Sequence, residues 1–391
     1  MNEKDMNKKT ILCILLFAVL PLFFFWDGKI PPNLLENGDG LFYYLTERVT
    51  ATRVIKDGMW PLWNPYRFGG SPLMADPETG CFYPPNILFL FLPPLTAFNW
   101  IMYLHYFLAG IFTFCYMRLL GARYLSGIVS GLIYMFSGFM ITRLGHMDLQ
   151  NMAAWVPAVF LSLEKVRQGK IHYAAIGACV FGLIILTGFF QGAVYLTIYI
   201  LAYIIYFGIV FQKERFNKRL ITGGIGMFFG GMLLSMVQIL PTIEFAIQTH
   251  RRALNYEFFS SFSFNPRLLP LLIFPNIFGG NSYRFYPVYY QGEWNLVEMT
   301  MYCGILPLCL ACIGFLKFRK KDSNVLFWSF VAILSFCLAL GGYNPFYKIT
   351  YYLPFYNMFR CSARHWFMFD FSIAILAGLA LNRLRNNCMA G

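Results

Sequence analysis

Long apolar runs recur along this chain of 391 residues, and they restrict its fold more than any other feature. Most approach the length of about 20 residues that an α-helix needs to cross the hydrocarbon core of a bilayer. We predict ten transmembrane helices, at residues 11–26, 98–117, 124–142, 152–163, 171–186, 192–211, 220–240, 299–316, 325–340 and 366–381. Because a backbone in lipid must satisfy its own hydrogen bonds, the expected fold is an all-α integral membrane domain over residues 1–391.

The composition supports this fold class and argues against a nucleic-acid partner. The chain is 58% hydrophobic and 13% charged, whereas a soluble domain is roughly 25% charged. Its net charge of +13 would suit nucleic acid on the basic face of a soluble module, but the basic residues here lie in short loops. Most cysteines fall within apolar runs. Cys81 and Cys361 both lie in loops on the predicted outer side, so one disulfide between them is conceivable.

The basic loops predict the orientation. If the lysine-rich N-terminus is cytoplasmic and the runs alternate, the loops around Arg118, Lys165, Lys213 and Lys317 and the segment after the last run are cytoplasmic too. These segments hold the whole net charge of +13, and the remaining charged residues, including Asp370 within the last run, balance to zero, as the positive-inside rule expects. The first run lacks a small-residue cleavage site, so we predict that it is an uncleaved span.

Two predicted extracytoplasmic loops are long, at residues 27–97 and 241–298. Both are rich in proline and aromatic residues, which suits ordered elements at a membrane interface. In the first loop, Phe42, Leu45 and Val49 recur at helical spacing. We therefore expect a helix over residues 41–55, lying along the membrane.

Asp39 stands at or near the start of that helix, and two interpretations follow. It could cap the helix, since aspartate there accepts hydrogen bonds from free amides and faces the positive end of the dipole. It could instead be a general base, since a carboxylate just outside the first span can take a proton from an acceptor hydroxyl at the membrane surface.

Aromatic and polar residues of the outer loops are candidates for sugar or acceptor binding, because rings stack on sugars and carboxylates accept from their hydroxyls. The candidates are Trp63, Asp76, Glu78, His146, Asp148 and Gln191. The alternatives are a loop scaffold packed on lipid headgroups and, for His146, a structural histidine.

Basic residues on the same side are candidates for binding a donor phosphate, because a guanidinium fork matches phosphate oxygens at two points. They are Arg251, Arg252, Arg360, Arg364 and His365. If that segment is helical, Arg360 and Arg364 share one face. The alternative is anchoring to lipid headgroups.

Three segments together resemble a known family. Residues 36–49 read ENGDGLFYYLTERV, residues 58–86 read GMWPLWNPYRFGGSPLMADPETGCFYPPN, and residues 145–165 read GHMDLQNMAAWVPAVFLSLEK. With the short first span, this order resembles the YfhO-type bacterial membrane proteins, which look like members of the GT-C superfamily of glycosyltransferases. The resemblance extends through residues 360–366.

The resemblance implies a bacterial plasma-membrane enzyme that moves a sugar from a polyprenyl-phosphate donor to a cell-envelope acceptor outside the cytoplasm. It makes Asp39 the catalytic base, and a single base without a paired nucleophile favours inversion. Many members have two adjacent acids in this loop, whereas glycines flank Asp39, so a divalent metal stays open. Longer relatives continue beyond the tenth span, so a truncated or minimal member is expected.

Two other classes of function compete with the enzyme. A transporter or flippase for lipid-linked or polar envelope precursors would place polar residues in broken helices near the middle of the membrane. Glycines at 223, 224, 226, 230 and 231 would permit such a break, although glycine also allows close helix packing. The other class is a non-catalytic membrane assembly partner.

Overall fold

The protein is almost entirely helical in the computed structural model, which describes residues 3–27, 38–211, 216–249, 255–280 and 288–390. The principal α-helices are Glu3–Phe24, Thr46–Lys56, Pro94–Leu119, Tyr124–Met135, Gly138–Thr142, Met147–Arg167, Tyr173–Leu186, Phe190–Ile205, Lys218–Leu234, Met236–Ile247, Ile305–Phe318, Ser323–Ala339 and Trp366–Ala390. Short turns of helix occupy the loops, and the strands Trp63–Asn64 and Ser71–Pro72 form an antiparallel hairpin.

Four helical segments are long and apolar enough to cross a membrane: Pro94–Leu119, Tyr124–Thr142, Phe190–Val210 and Ser362–Asn386. A bent pair, Lys218–Leu234 with Met236–Ile247, makes a fifth if it is one span. The chain is therefore a helical membrane protein. Each remaining predicted run also overlaps a helix of the structure, and three of these helices are apolar but shorter than 18 residues.

The seventh predicted span, residues 220–240, is wrong as one continuous helix. The helix stops at Leu234, turns by 70°, and resumes from Met236 to Ile247. Ser235 stabilises the break, because its hydroxyl donates to the carbonyl of Gly231 at 2.7 Å. Most glycines before it allow close packing: a Cβ on Gly231, for example, would lie 3.0 Å from the carbonyl oxygen of Ala178, whereas Gly226 faces open space.

The eighth predicted span begins too early. Its helix starts at Ile305 and not at residue 299, because Gly304 adopts a φ of +94° just before it. The preceding non-helical residues have another role. The carbonyl of Tyr302 accepts a hydrogen bond from the amide of Gly138 at 2.7 Å, at the break within Tyr124–Thr142.

Aromatic rings fill the centre of the bundle around the last helix, most of whose residues are buried. The ring of Trp328 packs 5.1 Å from that of Phe371 and 5.0 Å from that of Phe160. Its indole nitrogen donates to the hydroxyl of Tyr116 at 3.2 Å. Burial of this indole is favourable because its ring packs among apolar side chains while its N–H keeps a hydrogen-bond partner.

The loops gather at two ends of the bundle. At one, which we name the Asp39 end, the first loop contacts the second half of the chain, since Gln238 donates to the carbonyl of Met74 at 3.0 Å. At the other, the Glu164 end, Asp322 accepts from Arg383 at 2.6 Å.

Candidate functional site

Asp39 meets His146 at the Asp39 end. The carboxylate Oδ2 of Asp39 lies 3.4 Å from the Nε2 of His146, and the Asp39 side chain is 70% exposed. Gly145 and Gly40 lie next to this contact, and a Cβ on Gly145 would be in ordinary van der Waals contact with the backbone nitrogen of Gly40 at 3.9 Å. The structure thus brings together two of the predicted site residues.

Asp39 does not cap the helix that follows it. The helix forms as predicted, as a π-helical turn over Gly40–Leu45 continued by Thr46–Lys56. Asp39 itself has helical backbone angles, and in the described part of the chain its side chain makes no capping hydrogen bond. The capping interpretation is therefore wrong, and the carboxylate is left to solvent and to His146.

Burial lowers the pKa of His146 below its ordinary value, although the charges of Glu298 and Asp148 act in the opposite direction. An ordinary histidine titrates near pH 6.5, so this imidazole is neutral at pH 7. The contact with Asp39 is a 3.4 Å approach without a hydrogen bond among the described residues, and a neutral imidazole there does not cancel the negative charge of the carboxylate. Its Nδ1 has no partner among the described residues.

A buried glutamate between two arginines lies beside this pair. Oε2 of Glu298 accepts from Arg143 at 3.1 Å, and its Oε1 accepts from two nitrogens of Arg364 at 3.0 and 2.7 Å. Arg143 is fully buried and lies 3.8 Å over the ring of Phe139. Burial alone would raise the pKa of Glu298, but the two arginines outweigh it and hold that pKa well below its ordinary value. We name these three residues the Glu298 clamp.

Gln191 joins the clamp to the segment before the last helix. Its Oε1 accepts from Nη1 of Arg364 at 2.8 Å, and its amide nitrogen donates to the carbonyl of Arg360. The same nitrogen donates to the hydroxyl of Tyr195 at 2.9 Å. In this structure Gln191 therefore positions Arg364, and the predicted contact with sugar stays a prediction.

The first turns of helix Met147–Arg167 are polar and buried. One oxygen of Asp148 accepts from the amide of Leu149 at 2.9 Å, while the other has no hydrogen-bond partner among the described residues. The side-chain amides of Gln150 and Asn151 are likewise fully buried without a described partner. Buried polar atoms are almost always hydrogen-bonded in folded proteins, so this region favours a polar molecule over apolar packing.

The carboxylates of the hairpin loop hold the loop together. Asp76 accepts from the hydroxyl of Tyr43 at 2.9 Å and from Arg67 at 3.0 Å. Glu78 is half-buried, and the turn that contains Gly188 packs closely against its backbone. Trp63 is exposed, and its ring covers Gly70. Of these three predicted sugar contacts, Trp63 is the one that presents an open surface.

The predicted helical face shared by Arg360 and Arg364 is wrong. Cys361 adopts a left-handed conformation, with φ +65°, and helical turns begin only at Ser362. Arg364 points into the clamp and is 23% exposed, whereas Arg360 is exposed and lies 5.2 Å over the rings of Phe258 and Phe262. Cys361 is a free thiol, as is Cys81, so the disulfide is not formed.

His365 is placed in the core. Its Nδ1 lies 2.7 Å from the hydroxyl of Tyr199 and its Nε2 lies 2.8 Å from that of Tyr356, while its ring stacks on Tyr195 at 3.9 Å. Both nitrogens are therefore occupied, and the side chain offers no group to a phosphate in this structure. Arg251 and Arg252 lie outside the described residues.

In the ranges that the structure describes, no three histidine, cysteine or acidic side chains converge as a metal site would require. Asp39 has His146 as its neighbour, and Glu298 is already bound by two arginines. We derive no chemical step through a metal.

Comparison with known proteins adds no assignment: the sequence matches no protein-family model and no curated protein.

Proposed function

We propose that this protein is a GT-C-like membrane glycosyltransferase with ten transmembrane spans and a cytoplasmic N-terminus. It transfers a sugar from a polyprenyl-phosphate donor to an acceptor of the bacterial cell envelope at the Asp39 end, outside the cytoplasm. The observation that carries the proposal is the exposed carboxylate of Asp39, held 3.4 Å from the imidazole of His146 at one end of a helical membrane bundle. The resemblance of residues 36–49 and 145–165 supports it.

In the proposed reaction Asp39 takes the proton from the acceptor hydroxyl. The oxygen then attacks the anomeric carbon, the bond from that carbon to the lipid phosphate oxygen breaks, and the lipid phosphate leaves. His146 is a positioning residue, because its neutral ring orients the carboxylate and leaves its charge available. The exposed Trp63 and the polar residues at 148, 150 and 151 are the candidates for holding sugar or acceptor.

The direct test is transfer by the purified protein in lipid nanodiscs, with radiolabelled polyprenyl-phosphate sugar and a cell-envelope extract as acceptor. Label that moves to the acceptor, or free sugar released by hydrolysis, supports the enzyme. Unchanged donor in every condition counts against it.

A transporter or flippase is the second candidate, and the 70° break between Lys218–Leu234 and Met236–Ile247 favours it. Broken helices often form substrate sites in transporters. The same donor placed in one leaflet of sealed vesicles separates the two functions. Movement to the other leaflet without chemical change supports the flippase.

Membrane orientation gives a first prediction. A cysteine replacing Tyr66, which is 82% exposed at the Asp39 end, should react with a membrane-impermeant maleimide in intact cells. A cysteine replacing the exposed Gln168 at the Glu164 end should react only after lysis. The unsubstituted chain provides the background from its native cysteines. Labelling of the residue 168 variant in intact cells would reverse the proposed orientation and move the site to the cytoplasm.

Donor binding gives a second prediction, at Arg360. Its exposed guanidinium makes no hydrogen bond or ion pair with any described residue, whereas all three nitrogens of Arg364 already donate, two to Glu298 and one to Gln191. If Arg360 grips the donor phosphate, Arg360→Ala and Arg360→Lys should both weaken donor binding about ten- to a hundred-fold, because lysine lacks the planar fork.

The matched control is Arg267→Ala, which removes another exposed arginine at the same end. Donor affinity, measured by equilibrium binding in nanodiscs, should not change in this variant. A lysine at position 360 that binds donor like the wild type would assign Arg360 to headgroup anchoring.

A further inference from the structure

A cavity of about 260 Å³ lies beside helix Thr46–Lys56, and neither Asp39 nor His146 is among its lining residues. One face of that helix, with Arg48, Ala51 and Ile55, forms one wall, and residues from the segment 79–90 form the other. The cavity is smaller than the roughly 300–1,000 Å³ of pockets that enclose drug-sized molecules. It suits a small group or the end of a larger molecule.

Arg48 places a buried charge on the cavity wall, with two donor nitrogens unpaired among the described residues. The residue is only 2% exposed. Its Nη1 donates to the carbonyl of Tyr44 at 3.1 Å, but Nε and Nη2 have no hydrogen-bond partner among the described residues. A guanidinium stays protonated in proteins, and a buried charge without a partner is strongly unfavourable. The geometry therefore favours an anion bound in the cavity next to Nε and Nη2 of Arg48.

No other group on the wall supplies that negative charge. Burial raises the pKa of the Cys81 thiol to about 12, so it is neutral at pH 7. The buried Asp148 acts on Arg48 electrostatically, but Nε and Nη2 of Arg48 have no partner in the described part of the chain. Arg48 is thus the one charged residue among those that line the cavity.

The backbone of Gly80 packs closely against the guanidinium. A Cβ on Gly80 would lie 3.3 Å from Nη2 of Arg48 and 2.8 Å from Nδ2 of Asn86, and Gly80 has φ +61°. Asn86 donates to the carbonyl of Gly80 at 2.8 Å, while its Oδ1 is buried without a described partner. The site therefore offers two unused donors on Arg48 and one unused acceptor nearby.

The rest of the lining is apolar and extends to the surface. Phe82, Phe89 and Leu90 line the cavity, and Ile55 and Ile87, which also line it, are exposed at its edge. An inorganic anion would leave these side chains without a partner. A molecule with an anionic group and an apolar chain would satisfy both parts of the cavity.

We propose that this cavity binds the phosphate group of a membrane lipid, with phosphate oxygens on Nε and Nη2 of Arg48 and the start of the chain along Phe82 and Leu90. The side of a guanidinium that carries Nε and one Nη matches two oxygens of a phosphate. The proposal does not rest on the transferase activity, because the lipid can be a bulk phospholipid or a polyprenyl phosphate.

Native mass spectrometry of the purified full chain tests this binding with four probes: phosphatidylglycerol, a polyprenyl phosphate, diacylglycerol and inorganic phosphate. The wild type should retain one phosphate lipid and no diacylglycerol. Arg48→Gln should weaken that binding about ten- to a hundred-fold. Arg53→Gln, which changes an exposed arginine of the same helix, should bind like the wild type.

Preference between the two phosphate lipids identifies the natural source. Equal retention of diacylglycerol, binding of inorganic phosphate alone, or an Arg48→Gln variant that binds like the wild type would each overturn the proposal.

A second variant keeps the test valid if Arg48→Gln does not fold. Ala51→Leu retains Arg48 and fills the cavity from the helix side, so it should also lose the lipid. Thermal stability gives an independent readout, because a ligand that binds the folded state raises the unfolding temperature. Added phosphate lipid should raise it for the wild type and not for Ala51→Leu. An equal rise in both proteins would place the lipid elsewhere.

Discussion

Asp39→Asn is expected to abolish sugar transfer while leaving the folded protein at the wild-type level. The amide keeps the size of the side chain but cannot accept the proton of the acceptor hydroxyl, and loss of a general base typically lowers the rate by 10²–10⁴-fold. Because Asp39 is 70% exposed and makes no cap among the described residues, the free energy of unfolding should change by less than about 0.5 kcal/mol. Initial rates with saturating donor measure the effect.

The control for this variant is Asp57→Asn, which changes an exposed aspartate just after the same helix. It should transfer sugar like the wild type. Donor binding should survive in both variants, since neither carboxylate is assigned to the lipid phosphate. Activity of Asp39→Asn within a few-fold of the wild type would remove Asp39 from catalysis.

Glu298→Gln is expected to destabilise the protein severely, by about 3–5 kcal/mol, because it leaves two arginines of a buried network without their counter-ion. Arg143 has no access to solvent, so water cannot replace the carboxylate there. Thermal unfolding in detergent, followed by the amount of monodisperse protein that remains, measures the loss. Glu244→Gln changes an exposed glutamate and should unfold like the wild type.

The pH dependence of stability gives the same interaction a second signature. The pKa of Glu298 is depressed in the folded state, so its stabilisation is complete above the ordinary glutamate value of about 4.3. It should decline as the pH falls below that value, since the unfolded chain then binds the proton more readily. Glu298→Gln should lack this acid-dependent component. If Glu298→Gln unfolds at the same temperature as the Glu244→Gln control, the clamp contributes little to the stability of the protein.

The positions of the helices follow from local sequence. Residues 98–117 lie within Pro94–Leu119, residues 152–163 within Met147–Arg167, and residues 366–381 within Trp366–Ala390. Hydropathy over about 20 residues reports the transfer of one segment into lipid, which depends little on the rest of the fold. The helix after Asp39 was likewise visible in its apolar spacing.

The predictions from sequence that were wrong concern segments whose backbone geometry depends on contacts that residue spacing does not reveal. Spacing predicted one helical face for Arg360 and Arg364, but the left-handed Cys361 separates them. The break at Ser235 follows a run that reads as continuously apolar. Residues 300–304 leave the helix because Tyr302 pairs with Gly138, far away in the chain. Periodicity contains no information about such contacts.

Hydropathy along the chain is enough to predict a helical membrane protein with polar residues at the ends of its apolar helices, because burying charge in lipid is costly wherever the chain folds. Which charges meet depends on the packing of the helices. It placed His146 against Asp39, enclosed Glu298 between Arg143 and Arg364, and left Arg48 facing a cavity without a carboxylate. The physical reason is that an ion pair forms where helix packing brings two side chains within a few ångströms, and its strength depends on how far packing excludes water.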